Sequence, residues 1–133
     1  MSTRARIGIL NKDGTVESIY CHHDGYLIGG VGEMLYMHYN TEEKVRELMK
    51  LGDMSALAVN PKDCNTFQKH GGSEDLNRSI THRNVELFAK YQSDVEYRYL
   101  FDTEVGDWYL INYETHPKYL LAKALDDEAM GEE

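Results

Sequence analysis

The stretch "ARIGILNKDGTVESIYC", residues 5–21, decides the fold, because it has the pattern of two strands joined by a tight turn. In its first part, Ile7 and Ile9 occupy alternate positions, which is typical of a strand with one buried face. The Asp-Gly pair at 13–14 is a turn signal, and the alternation resumes from 16 to 21. This pattern predicts an antiparallel β-hairpin.

A second hairpin is predicted nearer the other end of the chain. The segments "VEYRYLFD", residues 95–102, and "WYLINYE", residues 108–114, alternate large side chains along their length. The short connection between them contains Gly106, which suits a hairpin loop. In the first of these segments, Tyr97 and Tyr99 are expected to share one face of the strand.

Helical periodicity predicts four helices, at residues 30–40, 40–53, 81–92 and 116–125. Thr41 is the expected N-cap of the second helix, and Gly52 is its expected left-handed C-terminal residue. Asp53 is expected to cap one more short turn. The core-facing side of the third helix is assigned to Asn84, Leu87, Phe88 and Tyr91.

The mixed order of these elements predicts a single α+β domain, with an antiparallel sheet built from two hairpins and helices packed on one face. A short strand is expected near 64–68, and residues 69–79 are expected to form an exposed loop. The domain would span residues 1–125. The acidic residues 126–133 are expected to form a flexible tail.

The composition is that of an ordinary globular protein. The chain has 133 residues, of which 41% are hydrophobic and 28% are charged. No apolar run approaches the roughly 20 residues needed to span a bilayer, and the N-terminus lacks the apolar stretch of a signal peptide. The expected location is therefore the cytoplasm, without membrane association.

Charge and aromatic content bear on the class of partner. The formal net charge of −9 argues against binding to nucleic acid, which requires clustered lysine and arginine. Ten tyrosines stand against three phenylalanines and one tryptophan. Because tyrosine combines a flat apolar ring with a polar tip, this content suits protein interfaces and ligand pockets. It favours a protein partner and leaves self-association open.

The segment "YCHHDGY", residues 20–26, is the main candidate site. Adjacent residues of an extended backbone point to opposite sides, so His22 and His23 are not expected to share a metal ion. An acid/base role for a His–Asp pair is chemically open, since imidazole titrates near neutral pH. The plainer alternative is a turn in which Gly25 takes a positive φ and Asp24 bonds the downstream backbone.

Two neighbouring features also have plain structural explanations. The glycines of "GGVG", residues 29–32, precede a predicted helix, and their N–H groups could bind an anion. However, the segment matches neither GxGxxG nor a P-loop, and close backbone packing explains it equally well. The cysteines Cys21 and Cys64 match no metal or redox spacing and are expected to be buried free thiols.

The N-terminal half resembles a family of small uncharacterised proteins encoded by bacteriophages and prophages. The matching segments are "RIGIL" (6–10), "DGTVESIYCHHDGY" (13–26), Gly32 and "YNTEEKVRELMKLGDMSAL" (39–57). They follow a family pattern in which a strand ends in Tyr-Cys-His-x-Asp-Gly-Tyr and is followed by a glycine-led helix and a Tyr-Asn-Thr helix. The hairpin at 99–111 is similar to the family's aromatic C-terminal hairpin. The chain departs from the family at Leu27, where many relatives carry proline.

The resemblance implies a phage-type accessory protein in the host cytoplasm. Such a protein would bind and inhibit a host protein, for example in counter-defence, or sequester a host nucleotide signal, without catalytic residues, metal or cofactor. The residues assigned to binding are Tyr20, His22, His23, Asp24, Tyr26, Arg78, Arg83, Tyr97, Tyr99 and Trp108. A nucleotide would require Arg78, Arg83 or Arg98 beside stacking tyrosines. The alternative is a small hydrolase that uses the His-His-Asp segment on a nucleotide or phosphoester.

Overall fold

The predicted pairing of residues 5–21 is present in the structure, a computed structural model that describes residues 3–67, 78–92, 94–111 and 118–131. The strands are β1 (Ala5–Leu10), β2 (Val16–Cys21), β3 (Met54–Ala56), β4 (Asn65–Thr66), β5 (Ile80–His82), β6 (Tyr97–Asp102), β7 (Asp107–Ile111) and β8 (Lys118–Leu120). The helices are α1 (Val31–His38), α2 (Glu42–Leu51), α3 (Val85–Lys90) and α4 (Leu121–Gly131), with a short 3₁₀ turn at Pro61–Asp63. The predicted α+β class and single domain are confirmed.

Both predicted hairpins are confirmed, and a parallel contact joins them. Strand β1 is antiparallel to β2, and β6 is antiparallel to β7, which also pairs with β8. Strands β1 and β6 run parallel, with Ile7 opposite Tyr99. The sheet order is therefore β4-β3-β2-β1-β6-β7-β8, with β5 placed on β2. The parallel contact makes the two hairpins one continuous surface.

The outer edge of β2 is shared by two short strands. Strand β5 pairs with Val16–Ser18, while β3 pairs with Cys21. Between them, Asp53 Oδ1 accepts a hydrogen bond of 2.9 Å from the backbone N–H of Tyr20. The predicted helical turn after Asp53 is therefore wrong, because residues 54–56 form β3 and the Asp53 carboxylate occupies the gap in the sheet.

The larger core lies on the face of the sheet that carries Ile7, Ile19 and Phe101. Helices α1, α2 and α4 cover this face through buried side chains, among them Leu35 and Leu48. Helix α2 has the predicted N-cap, with the side chain of Thr41 accepting from the N–H of Lys44, and Gly52 ends it at φ 78°. The larger core therefore follows the periodicity that the sequence shows.

The opposite face of the sheet is covered by α3, so the expectation that all helices lie on one face is wrong for this helix. Phe88 and Ala89 pack there against Val16 and Leu100. A Cβ on Gly8 would lie 3.0 Å from the Phe88 ring, so the absence of a side chain at Gly8 leaves the space that the ring occupies. The helix is shorter than predicted, because residues 80–82 form β5.

Two of the residues assigned to the buried side of α3 have other positions. Asn84 is the N-cap, and its Oδ1 accepts from the N–H of Leu87 at 2.9 Å. Leu87 itself is 48% exposed. The prediction counted Asn84 as part of the helix and therefore assigned the wrong residues to the buried face. In the structure Asn84 is the cap and the helix begins at Val85.

Helix α4 begins later and ends later than predicted. Residues 118–120 form β8, and the helix runs from Leu121 to Gly131, so the expected flexible tail is helical through residue 131. Glu128 is held in place, because its Oε2 accepts from the backbone N–H of Ile28 at 2.9 Å. Most of the predicted loop at 69–79 lies outside the described residues. None of the described helices combines the length and apolar character needed to cross a membrane.

Candidate functional site

The two adjacent histidines lie just beyond the end of β2. Their rings do not diverge as predicted but meet edge to face, with ring centroids 4.6 Å apart, because the backbone leaves the strand after Cys21. His22 Nδ1 is 2.7 Å from the hydroxyl of Tyr20, whereas His23 is exposed. Among the described residues, no group of three or more His, Cys, Asp or Glu side chains is placed to hold a metal ion.

The turn after the histidines has an unexpected conformation. Asp24, not Gly25, takes the positive φ, at 59°. Its side chain accepts from the Tyr26 hydroxyl at 3.3 Å, and its carbonyl accepts from the N–H of Val31 at 2.7 Å. Position 25 has no room for a side chain, because a Cβ there would lie 2.8 Å from the carbonyl oxygen of Thr3. The segment is therefore a closely packed turn with an exposed His23–Asp24 tip.

The glycine-rich start of α1 is occupied by carboxylates from the chain itself. The N–H of Gly29 donates to Glu33 Oε1 at 2.8 Å, and the N–H of Ile28 donates to Glu128. A Cβ on Gly30 would lie 2.6 Å from the carbonyl oxygen of Asp24. Close packing thus explains these glycines, and two negative charges make the helix start unsuitable for a further anion.

A groove follows the exposed side of α1 and is called the α1 groove below. Its first depression, of about 60 Å³, lies between His23–Asp24 and Met34. The second, of about 220 Å³, continues past Met34 to Met37 and His38. The third, of about 500 Å³, lies between Tyr36–Met37 and residues 106–108. Adjacent depressions share Met34 and then Met37, so they lie side by side along α1.

The α1 groove is lined by exposed apolar side chains and by carboxylates. Met37 is 58% exposed and Tyr36 is 41% exposed, although both are large apolar residues. The acidic residues of the lining are Asp24, Glu33 and Asp107. Among the described lining residues there is no lysine or arginine.

Trp108 lines the third depression from beneath. Its side chain is almost fully buried, and its Nε1 donates to the carbonyl of Tyr39 at 2.7 Å. Tyr99 is also buried, and its hydroxyl donates to the carbonyl of Gly25 at 2.6 Å. These two residues therefore support the surface from below and do not form the exposed surface predicted for them. Tyr97 is half-buried and stacks on Tyr99, with ring centroids 6.0 Å apart.

The arginines proposed for a nucleotide pocket do not come together. Arg78 and Arg83 are exposed and flank opposite ends of β5. Arg98 is buried, and its guanidinium donates to the backbone carbonyls of Tyr91, Gln92 and Val95 at 2.8–3.0 Å. The charge of Arg98 therefore anchors a chain segment on the sheet and is not directed at solvent.

A buried polar network on the α3 face was not anticipated from the sequence. Arg6 lies beside Arg98 in the parallel β1–β6 pairing, and its Nε donates to Ser18 Oγ at 3.1 Å. Its Nη1 donates to the side chain of Gln92 at 2.7 Å. Ser18 Oγ is 2.7 Å from His82 Nε2. Burial, with a smaller contribution from Arg6, lowers the pKa of His82 to about 4, so this imidazole is neutral at pH 7.

The two cysteines, Cys21 and Cys64, lie in the larger core. Both are buried free thiols, as predicted. Burial raises the pKa of Cys21 to about 12, so its reactive thiolate form is absent at neutral pH. Cys64 accepts a hydrogen bond from the N–H of Ala58 at 3.3 Å and packs in the core.

Comparison with known proteins found no matching family model, curated protein or solved structure. The resemblance to a phage family therefore stays a prediction from the motifs quoted above.

Proposed function

We propose that the protein is a phage-type accessory protein that binds a host protein without catalysing a reaction. In this proposal it inhibits a host defence protein or redirects a host factor. The observation that carries it is the α1 groove, in which large apolar side chains remain exposed beside carboxylates. An arrangement of that kind is typical of protein interaction sites.

The side chains of the α1 groove suit a macromolecular partner. Methionine is unbranched and polarisable, so Met34 and Met37 can adapt to the shape of an incoming surface. Tyr36 adds a ring with a polar tip, 41% exposed, of the kind that is common at protein interfaces. Tyr26, 38% exposed, lies next to the groove, where its hydroxyl donates to Asp24. The His23–Asp24 tip borders the same groove, so this part of the sequence-based assignment is retained in the proposal.

The hydrolase alternative has less support. His22 Nδ1 lies 2.7 Å from the Tyr20 hydroxyl, and the Asp24 carboxylate accepts from Tyr26. The neighbouring thiol of Cys21 is buried, with a raised pKa. A general base oriented by an acid and facing a nucleophile is what such chemistry needs, and these contacts do not provide it.

The nucleotide alternative is also less well supported. It required an arginine beside stacking tyrosines, but Arg98 is committed to three carbonyl groups inside the protein. The α1 groove carries carboxylates, which repel phosphate. A protein partner therefore fits this surface better than a nucleotide does.

Site-specific photocrosslinking tests the proposal. A photoreactive residue at position 37, and the same residue at position 87 as control, would be introduced into the chain expressed in bacteria. Both positions are exposed, but Leu87 lies on α3, on the opposite face of the sheet. We expect one host protein to be crosslinked from position 37 and not from position 87.

The affinity of the purified pair gives the second part of the test. Burying a side chain such as Met37 contributes about 1.5–3 kcal/mol, so Met37→Glu is expected to raise Kd by about 10- to 100-fold. Leu87→Glu places the same charge outside the groove and is expected to leave Kd unchanged. Equal crosslinking from both positions, or a Kd insensitive to Met37→Glu, would contradict the proposal.

A further inference from the structure

We infer that the α1 groove takes a cationic segment of a partner protein, with one large apolar side chain seated against Tyr36 and Met37 and lysine or arginine residues beside it. This inference rests on the proposed function and specifies the chemistry of the partner. It is carried by the exposed apolar side chains and the unneutralised carboxylates that line the groove together.

The acidic groups stand at both ends of the groove. Asp24 lies at the first depression, Glu33 at the second and Asp107 at the third. The described lining contains no lysine or arginine to neutralise them. Helix α4 packs against α1 and brings Glu128 to the start of that helix. A partner with the opposite charge is favoured here, and one rich in carboxylates is repelled.

The third depression carries the two most exposed large apolar side chains of the groove, Tyr36 and Met37. It is the largest of the three, at about 500 Å³, and lies between Tyr36–Met37 and the β6–β7 turn. Trp108 lines it with little exposed surface, and its Nε1 donates to the carbonyl of Tyr39. The exposed side chains of Tyr36 and Met37 are suited to contact one large apolar side chain of a partner.

The length of the groove sets the spacing expected in the partner. Helix α1 has eight residues, so it is about 12 Å long. This distance separates the apolar depression from the Asp24 end, and it corresponds to about two helical turns or four extended residues. The partner segment should therefore carry a basic residue near its apolar anchor and another about two turns away.

Tryptophan fluorescence can test this directly, because Trp108 is the only tryptophan in the chain. Two synthetic amphipathic peptides of about 15 residues, long enough to form a helix, would share one leucine face. One carries lysine and the other glutamate on the polar face. We expect the leucine/lysine peptide to change the fluorescence of Trp108 and to bind at least about tenfold more tightly than the leucine/glutamate peptide.

Two matched pairs of variants separate groove binding from general charge attraction. Glu33→Gln with Asp107→Asn keeps the hydrogen-bond acceptors that Gly29 and Trp108 use but removes two charges of the groove. Glu43→Gln with Glu47→Gln removes two exposed charges on α2. We expect the groove pair to weaken binding of the lysine peptide about tenfold and to reduce its salt dependence. The α2 pair should change both quantities much less.

The apolar anchor has its own variant pair. Met37→Glu is expected to abolish the fluorescence change, whereas Leu87→Glu is expected to preserve it. Glutamate is a good helix former, so neither change should unfold the protein, and far-ultraviolet circular dichroism checks this.

Three results would overturn the inference. The first is equal binding of both peptides, and the second is equal weakening by the two charge-neutralising pairs. The third is self-association of the unmodified chain in analytical ultracentrifugation that Met37→Glu abolishes, which would assign the groove to a second copy. The proposed function fails separately, when the host protein crosslinks equally from positions 37 and 87. The groove can therefore bind a host protein and still fail the peptide test.

Discussion

The buried network around His82 leads to a quantitative prediction about stability and pH. Arg6 Nε donates to Ser18 Oγ, which leaves the Ser18 hydroxyl hydrogen to donate to His82 Nε2. In this arrangement the His82 ring accepts through an unprotonated Nε2 and is neutral, in agreement with its lowered pKa. A protonated ring would present a donor to Ser18 and a second positive charge to Arg6.

The sign of the effect follows from the direction of the pKa change. Burial lowers the pKa of His82 from 6.5 to about 4 in the folded protein, with a further contribution from Arg6. The unfolded chain, whose histidine titrates near its ordinary pKa of about 6.5, therefore binds the proton first as the pH falls. The stabilisation is present above pH 6.5 and is lost as the pH falls towards 4. Between pH 7.5 and pH 5 the loss is about 2 kcal/mol.

The assay compares urea unfolding of the wild type and His82→Gln, followed by the fluorescence of Trp108. Glutamine keeps an acceptor for Ser18 but does not titrate. At pH 7.5 the wild type should be more stable by about 1 kcal/mol, because glutamine loses the ring contacts with Phe88 and Tyr91. At pH 5 this difference should reverse.

Two controls keep this experiment specific. Asp53 has a raised pKa because of burial, which changes stability with the opposite sign, so only the difference between wild type and variant is interpreted. His23→Gln removes an exposed imidazole and controls for the loss of one histidine. If the difference in the free energy of unfolding between the wild type and His82→Gln stays constant from pH 7.5 to pH 5, the assignment of a neutral His82 and of its hydrogen bond to Ser18 is refuted.

Three further predictions concern the turn before α1. Gly30→Ala should lower the free energy of unfolding by about 2–3 kcal/mol in urea titrations, because the new Cβ would overlap the carbonyls of Asp24 and Tyr26. Tyr99→Phe should cost about 1–3 kcal/mol in the same assay, because the carbonyl of Gly25 loses its buried donor. Asp24→Gly should leave thermal stability nearly unchanged, because relief of the positive φ offsets the entropy that glycine loses on folding. The same change should weaken binding of the leucine/lysine peptide. A decrease of more than about 1 kcal/mol in the free energy of unfolding would contradict this prediction.

The hairpins and the α2 caps could be predicted because their signals are local. Alternation in residues 5–21 and the Asp-Gly turn involve neighbours in sequence, and so do Thr41 and Gly52 at the ends of α2. The parallel β1–β6 contact joins residues about 90 positions apart, and no short pattern encodes it. The position of α3 on the second face follows from that contact, because joining the hairpins creates an apolar surface around Leu100 that must be covered.

The candidate site could also be predicted only in part, because it depends on contacts between residues that are far apart in the sequence. The exposed tip at His23 and Asp24 is visible in the motif, but Tyr99 and Trp108 were assigned to a surface because aromatic content alone does not distinguish core from interface. A sequence signal for the groove does exist. Tyr36 and Met37 are apolar residues outside the helical stripe formed by Val31 and Leu35, and such residues have no predicted core contact.

Hydrogen bonds fix the backbone of the turn at Asp24 and Gly25, and this matters for the proposed binding. The N–H of Gly25 donates to Thr3, the carbonyl of Gly25 accepts from Tyr99, and the carbonyl of Asp24 accepts from Val31. These bonds tie the exposed tip to the segment before β1, to β6 and to α1, and α1 also lines the groove. Because the tip does not have to be ordered on binding, it loses little conformational entropy when a partner arrives. A positive φ at Asp24, held by these surrounding bonds, is consistent with a residue placed for contact rather than for the stability of the turn.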